Sequence, residues 1–217
     1  MKQGFFITFE GGEGSGKSTQ SKLLMEALRQ RQIQCRWTRE PGGSPGAEEI
    51  RQLLVNGTTT RWDGITEALL FMAARRNHLS QTIWPALAQN EVVICDRFLD
   101  STLAYQGYGY GKNQATIDTI MALYRTIAGD FYPNLTFIFD IDPLIGLKRS
   151  CDRAGNTEKR FENMDLSFHK NLRTGFLELA QTDKKRYVVI DATGNVEEIH
   201  HQIVKIVLER LKNDSTD

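Results

Sequence analysis

The run Gly11-Gly12-Glu13-Gly14-Ser15-Gly16-Lys17-Ser18-Thr19 constrains this chain more than any other stretch. It has the spacing G-x-x-x-x-G-K-S, and it stands where that spacing has physical meaning. The apolar run "FFITFE" (5–10) precedes it, and "KSTQSKLLMEALRQR" (17–31) follows, with Leu23, Leu24, Ala27 and Leu28 at helical spacing. Glycines let the backbone curl so that successive N–H groups converge on an anion, and the next helix adds its positive N-terminal end. Gly11 to Thr19 are therefore the expected nucleotide-phosphate loop. Lys17 would reach the β- and γ-phosphates of ATP, and the Ser18 hydroxyl could ligate Mg²⁺.

Strand-like and helix-like segments alternate along the rest of the chain. Strands are expected over 33–38, 92–96, 135–141 and 187–191, and helices near 48–55, 64–88, 115–128, 143–151, 164–182 and 195–212. Asp142 before Pro143, and Asn195 three residues before Glu198, mark two helix starts. Such alternation implies an α/β fold of the P-loop NTPase type, with a five-stranded parallel sheet flanked by helices, expected as one domain over 1–217. Ligands in such sheets bind at the C-terminal ends of the strands.

Charge and cysteine content exclude several classes. The 27 basic residues balance 27 acidic ones, so the basic excess of a protein that coats nucleic acid is missing. Cys35, Cys95 and Cys151 are far apart and form no C-x-x-C or Cys/His cluster. Neither a zinc site nor a disulfide framework is indicated, and a reduced, cytoplasmic setting fits. The N-terminus enters "GFFITFEGG" without a leader pattern, and the apolar runs fall well short of the ~18 residues of a membrane span.

Candidate chemistry gathers at the strand ends. Asp96 closes "VVICD" and reads as a second metal ligand beside Ser18, with a turn or capping aspartate as the plainer alternative. If "RFLDSTLAYQGYGYG" begins a helix, Arg97, Ser101 and Tyr105 fall at i, i+4 and i+8, with Thr102 and Gln106 in the adjacent row. Arg97 suits a bidentate grip on phosphate; the alternative is a solvated helix start with Arg97 in a surface ion pair. Phe71 and Arg75, one turn apart, could stack on a base and donate to its carbonyl, or be simply a core phenylalanine and a surface arginine. Lys148, Arg149, Arg153, Lys159 and Arg160 cluster around "CDRAGNTEKRFE", which reads as a short mobile lid over about 149–161 or as a solvated charge run. No histidine has a nucleophile or metal partner in the pattern, so His78, His169, His200 and His201 read as structural or exposed.

Three motifs together, "FEGGEGSGKST", "TREPGG" and "DRFLDSTLAYQG", resemble the thymidylate kinase family, and the resemblance continues through "LLFMAARRNHL" and "FYPNLTFIFDIDPLIGLKR" to the final helix. It implies phosphorylation of dTMP to dTDP by ATP with Mg²⁺, in a homodimer. Carried over by residue, it gives Arg97 the monophosphate of the acceptor and places Asp96 on the metal side. Phe71 stacks on thymine, Arg75 bonds a thymine carbonyl, Thr102 and Gln106 read the pyrimidine edge, and Tyr105 crowds the sugar 2′ position. Arg51 lines the acceptor pocket, and Glu40 and Ser101 join the substrate-binding set. Glu13 sits near the acceptor's sugar and phosphate and counts with Lys17 and Arg97 among the catalytic residues. Phe98 stands where tyrosine is frequent, and Gly14 where one subgroup carries an arginine. Catalytic arginines are therefore expected from the lid, as Arg149 and Arg153, with Arg160 a further candidate. The other readings are a kinase for a different nucleoside monophosphate and a P-loop ATPase or switch. The absent N-K-x-D motif and the neutral charge weigh against the switch.

Overall fold

The computed structural model describes residues 4–110, 116–151 and 160–213. Its sheet has five strands, β1 (Phe5–Gly11), β2 (Cys35–Arg39), β3 (Val92–Asp96), β4 (Leu135–Asp140) and β5 (Tyr187–Asp191). All neighbours run parallel in the order β2-β3-β1-β4-β5. The strands therefore match the expected five to within a residue or two: β1 runs one residue further, to Gly11, β4 ends one residue earlier, at Asp140, and β2 is shifted to Cys35–Arg39 from the expected 33–38.

β1 lies at the centre of the sheet, and every one of its residues is buried. Side chains alternate across a strand, and the two faces of β1 feed different helical layers. Phe5, Ile7 and Phe9 pack with Leu24 and Leu28 of α1 (Lys17–Gln30) and with Ile199, Ile203 and Val207 of α9 (Val196–Asn213). Phe6 turns the other way, into a cluster with Ala68, Met72, Phe98, Leu103 and Tyr124. Each such aromatic burial stabilises by about 1.5–3 kcal/mol. By the same alternation Thr8 and Glu10 face the second layer, where the Thr8 and Thr136 hydroxyls are 2.8 Å apart. That alternation carries a carboxylate inward, next to the phosphate loop.

The second layer contains α2 (Pro45–Val55), α3 (Gly64–His78), α4 (Trp84–Ala88), α5 (Leu99–Thr102) and α6 (Ile117–Ala128). The expected helix over 64–88 is continuous but widens to a π turn at Leu79–Ile83. Pro85 lacks an N–H and crowds the carbonyl four residues back, which a wider turn accommodates. The remaining helices are α7 (Pro143–Cys151), which leads toward the expected lid, and α8 (Leu166–Thr182), whose Phe168, Leu172 and Phe176 pack on Ile138 of β4. Asp142 accepts the Leu144 N–H at 2.9 Å and Asn195 accepts the Glu198 N–H at 2.8 Å, as both caps required. Among the described residues no helix is long and apolar enough to cross a membrane.

Candidate active site

β1 delivers the glycine loop to the C-terminal edge of the sheet. Gly11 has φ +138°, and a Cβ there would lie 2.5 Å from the Phe139 carbonyl oxygen of β4. Only glycine lets the loop leave the strand at that point. Gly14 has φ +65°, and its Cβ would lie 1.9 Å from the carbonyl oxygen of Gly146 in α7. In return, a Cβ on Gly146 would meet the Glu13 carbonyl oxygen at 2.4 Å. The loop tip and α7 thus touch backbone to backbone. α1 starts at Lys17 without a side-chain cap, so its leading N–H groups are open to an anion.

Lys17 is buried, and its ammonium donates to the Gly12 carbonyl at 2.6 Å and the Ser15 hydroxyl at 3.1 Å. Burial, and then the neighbouring Arg97, lower its pKa to about 8. The Ser18 hydroxyl donates to Asp96 Oδ2, while Asp96 Oδ1 is buried without a hydrogen-bond partner. A hydroxyl and a carboxylate with one oxygen unclaimed are oxygen donors of the kind a hard cation takes. Mg²⁺ usually needs only one or two such protein groups besides phosphate and water. No cluster of three or more His, Cys, Asp or Glu forms a metal site among the described residues, so any cation here rests on this sparse pair.

Arg97 departs from its sequence expectation in conformation but not in direction. It does not begin a helix: its φ is +71°, its N–H donates to the Phe9 carbonyl at 2.9 Å, and α5 starts at Leu99. A bulky residue with left-handed backbone is uncommon and needs surrounding structure to hold it. Here the Phe98 N–H bonds Glu10 Oε1 at 2.7 Å, and the Ser101 hydroxyl bonds Glu10 Oε2 at 2.5 Å. Burial, and next the charge of Asp100, push the Glu10 carboxyl up to about 8. From this bend the Arg97 guanidinium reaches the Gly11 carbonyl and the Ser101 hydroxyl, both at 3.0 Å. Its other nitrogen reaches Glu13 at 2.8 Å and the Tyr105 hydroxyl at 2.9 Å. Tyr105 in turn donates to Glu13 at 2.6 Å. Burial opposes ionisation of Glu13, but Arg97, Lys17 and the Tyr105 hydroxyl outweigh it and hold the carboxyl at about 2. The predicted grouping of Arg97, Ser101 and Tyr105 is therefore present, reached through the bend and a π segment at Leu103–Gly109.

On the far side lies a second compartment. Arg75 is not a surface residue: it is 1% exposed, and it donates to Glu40 at 2.8 Å and to the Thr102 hydroxyl at 3.0 Å. His78 is buried and structural, with Nδ1 3.0 Å from Glu40 and Nε2 2.6 Å from the Thr38 hydroxyl. Gln106 donates Nε2 to Glu67 at 2.9 Å. Phe71 is partly buried; its ring centroid lies 6.5 Å from that of Phe161, which meets Tyr105 edge-on at 5.4 Å. Arg51 donates to the Pro41 carbonyl at 2.7 Å. Loop, Ser18–Asp96 pair, Arg97 bend and aromatic compartment open into one cleft of about 740 Å³, whose lining includes Lys17, Arg51, Phe71, Arg75, Arg97 and Arg149.

The expected lid is only partly placed. Arg149 lines the cleft and donates to the Ala192 carbonyl at 2.8 Å. Arg153 and Lys159 lie outside the described residues. Arg160 is buried and donates to the carbonyls of Leu54, Thr58 and Thr59 and to Glu67, so it faces a protein anchor and not the phosphates. Sequence reasoning missed Glu10, Glu67, Phe161 and Gly146. Only Glu10 left a signal, as a carboxylate ending a strand that is otherwise almost wholly apolar.

A family model described as thymidylate kinase matches residues 9–203. Over 211 residues the chain is 49% identical to the thymidylate kinase of Caulobacter vibrioides, covering 97% of this chain and 99% of that one. It is 48% identical over 208 residues to the thymidylate kinase of Ruegeria pomeroyi, covering 96% of each. The crystal structure of thymidylate kinase from Ehrlichia chaffeensis superposes with a TM-score of 0.74 at 36% identity, over 94% of this chain and 99% of that one.

Proposed function

The chain belongs to the thymidylate kinase family, and from that premise we infer its reaction: the γ-phosphoryl group of ATP passes to the 5′-phosphate of dTMP, giving ADP and dTDP. The observation that carries this reading is one cleft of about 740 Å³ lined both by the phosphate-loop residues Lys17 and Ser18 and by the aromatic, arginine-bearing set Phe71, Arg75 and Phe161. A donor triphosphate and an acceptor nucleotide can enter it from opposite ends and meet at Arg97.

The residue roles follow from electrostatics and position. Phosphoryl transfer needs in-line placement and spread positive charge more than covalent help. Lys17 and the loop N–H groups from Gly11 to Thr19 hold the β- and γ-phosphates of ATP. Ser18 and Asp96 hold Mg²⁺, which neutralises phosphate charge when bound. Arg97 exchanges contacts within its bend for the acceptor's phosphate, and Glu13, ionised at neutral pH, keeps the guanidinium aimed there. Phe71 stacks on the base, and Arg75 donates to a base carbonyl. Thr102 and Gln106 meet the base edge, Tyr105 fills the space of a 2′-hydroxyl, and Glu40, Arg51 and Ser101 line the acceptor side. Arg149, with Arg153 on the segment after it, supplies lid charge. No strong general base is needed, because the acceptor phosphate is already ionised near neutral pH.

The unit acts as one kinase domain in the cytoplasm and as a homodimer. Leu53, Ile65 and Leu69, exposed on the neighbouring helices α2 and α3, support a self-association surface, and sedimentation tests it. For the reaction, ADP formation is followed with ATP and each of dTMP, dUMP and dGMP. Rates led by dTMP, with little hydrolysis in its absence, are expected. Equal rates with dGMP, or hydrolysis indifferent to dTMP, would sink the assignment.

A further inference from the structure

Glu67 sits on α3 with no solvent exposure, outside every motif that pointed to the nucleotide sites. Its two oxygens are fully engaged. Oε2 accepts from Gln106 Nε2 at 2.9 Å, and Oε1 accepts from the Tyr110 hydroxyl at 3.0 Å and from Arg160. A carboxylate only accepts hydrogen bonds, so the nitrogen of the Gln106 amide must face it. The amide oxygen, Gln106 Oε1, is thereby turned away, and it is buried with no partner. An orphaned acceptor of this kind beside a cleft costs free energy unless a ligand supplies a donor. Arg75 offers the complementary group nearby, because three of its N–H groups go to Glu40, Met72 and Thr102 and a guanidinium has five.

We propose that Glu67 is a positioning residue that sets which pyrimidine the cleft selects, by holding Gln106 with its carbonyl oxygen toward the base. This rests on the dTMP-kinase reading above. Thymine and uracil carry an N–H at ring position 3 between two carbonyls, which matches an acceptor flanked by an arginine donor. Cytosine has a lone pair at that position and an amino group beside it, so Gln106 Oε1 and Arg75 would both oppose it. The fixed amide thus works by mismatch as well as by match. Through Arg160 the same carboxylate also ties the base compartment to the chain that leads into Phe161.

The test is the ratio of kcat/KM for dTMP to kcat/KM for dCMP. In Glu67→Gln the side chain at position 67 can present either an oxygen or a nitrogen, so Gln106 loses its imposed orientation. The ratio should fall at least about tenfold, the size of one hydrogen bond turned from match to mismatch, while KM for ATP changes little. Arg160 loses its charged partner in that variant, so Glu67→Gln/Arg160→Met, which removes the buried cation too, is measured alongside, with circular dichroism to confirm folding. Parallel loss of both substrates with the ratio within about twofold of wild type, in a folded variant, overturns the proposal and assigns Glu67 a purely structural role. Wild-type protein without activity on dTMP would instead overturn the reading of the reaction itself.

Discussion

The phosphate loop and the aromatic compartment of the cleft are built by different means. The proposed donor end is a run of nine consecutive residues, Gly11 to Thr19, which would act mostly through backbone N–H groups. The proposed acceptor end is built from side chains brought together from the ends of β2 and β3, α3, α5, the π segment at Leu103–Gly109 and the segment after residue 159. Three of them are held by carboxylates: Arg75 by the buried Glu40, Gln106 by the buried Glu67, and Arg97 by the partly exposed Glu13 together with the Tyr105 hydroxyl. A triphosphate is the same in every ATP, so a rigid curl of N–H groups suffices. A base must be told from other bases, which needs directed polar groups held by further polar groups. The donor end is therefore local in sequence and the acceptor end is not.

Substitutions on each side can break that division. The largest effect is expected from Lys17→Ala, which removes the one ammonium inside the loop and should lower kcat/KM for both substrates by about 10³-fold. Steady-state kinetics with a folded variant checks it; a loss confined to dTMP would contradict the donor assignment. Arg97→Ala should cost about 10²-fold in kcat/KM for dTMP, with ATP binding by titration calorimetry within a few-fold of wild type. Arg97→Gly sharpens this, since glycine relieves the +71° backbone: its activity should match the alanine variant while its melting temperature exceeds it. If both variants lose ATP affinity as strongly as dTMP affinity, the ends of the cleft are not separate.

A smaller effect tests the boundary between the ends. Gly14→Ala places a Cβ against the Gly146 carbonyl, and should destabilise by about 1–3 kcal/mol in chemical denaturation while weakening ATP before dTMP. Unchanged stability would mean that the loop tip moves freely away from α7.

The smallest expected effect is a slope. Glu10 titrates near 8 when folded, raised from its ordinary 4.5. Between these values the folded protein binds the proton and the unfolded chain does not, so Glu10's contribution makes stability fall as pH rises from about 4.5 to 8. Glu10→Gln should flatten the fall in melting temperature over that range relative to wild type. Parallel curves would show that the buried carboxyl does not titrate as its surroundings demand.

How much was legible in the sequence follows from the same contrast. The strands, the phosphate loop and its helix were readable because apolar periodicity and glycine spacing are local signals. The helical run over 64–88 was readable in extent, but its π turn was not, since helical periodicity does not register one widened turn. Arg97, Ser101 and Tyr105 were grouped correctly on a wrong premise, a helix starting at Arg97. The bend that replaces it is set by Glu10, remote in sequence. For Arg75 the residue-level choice between surface and pocket stayed open until its partner Glu40 was placed, because burial of a charge depends on a partner that spacing cannot reveal. Arg160 looked like a lid cation from its neighbours, but three backbone carbonyls and Glu67 claim it.

The glycine contact between the loop tip and α7 also limits how such a chain can change over generations. A side chain at position 14 meets the backbone of residue 146, and a side chain at 146 meets the backbone of residue 13. Substitution at either place is penalised while α7 stays where it is. An arginine at 14 is thus not one mutational step away: α7, which itself carries Arg149, must shift first. On the proposed lid reading, the place from which Arg149 offers its charge is tied to the seating of α7.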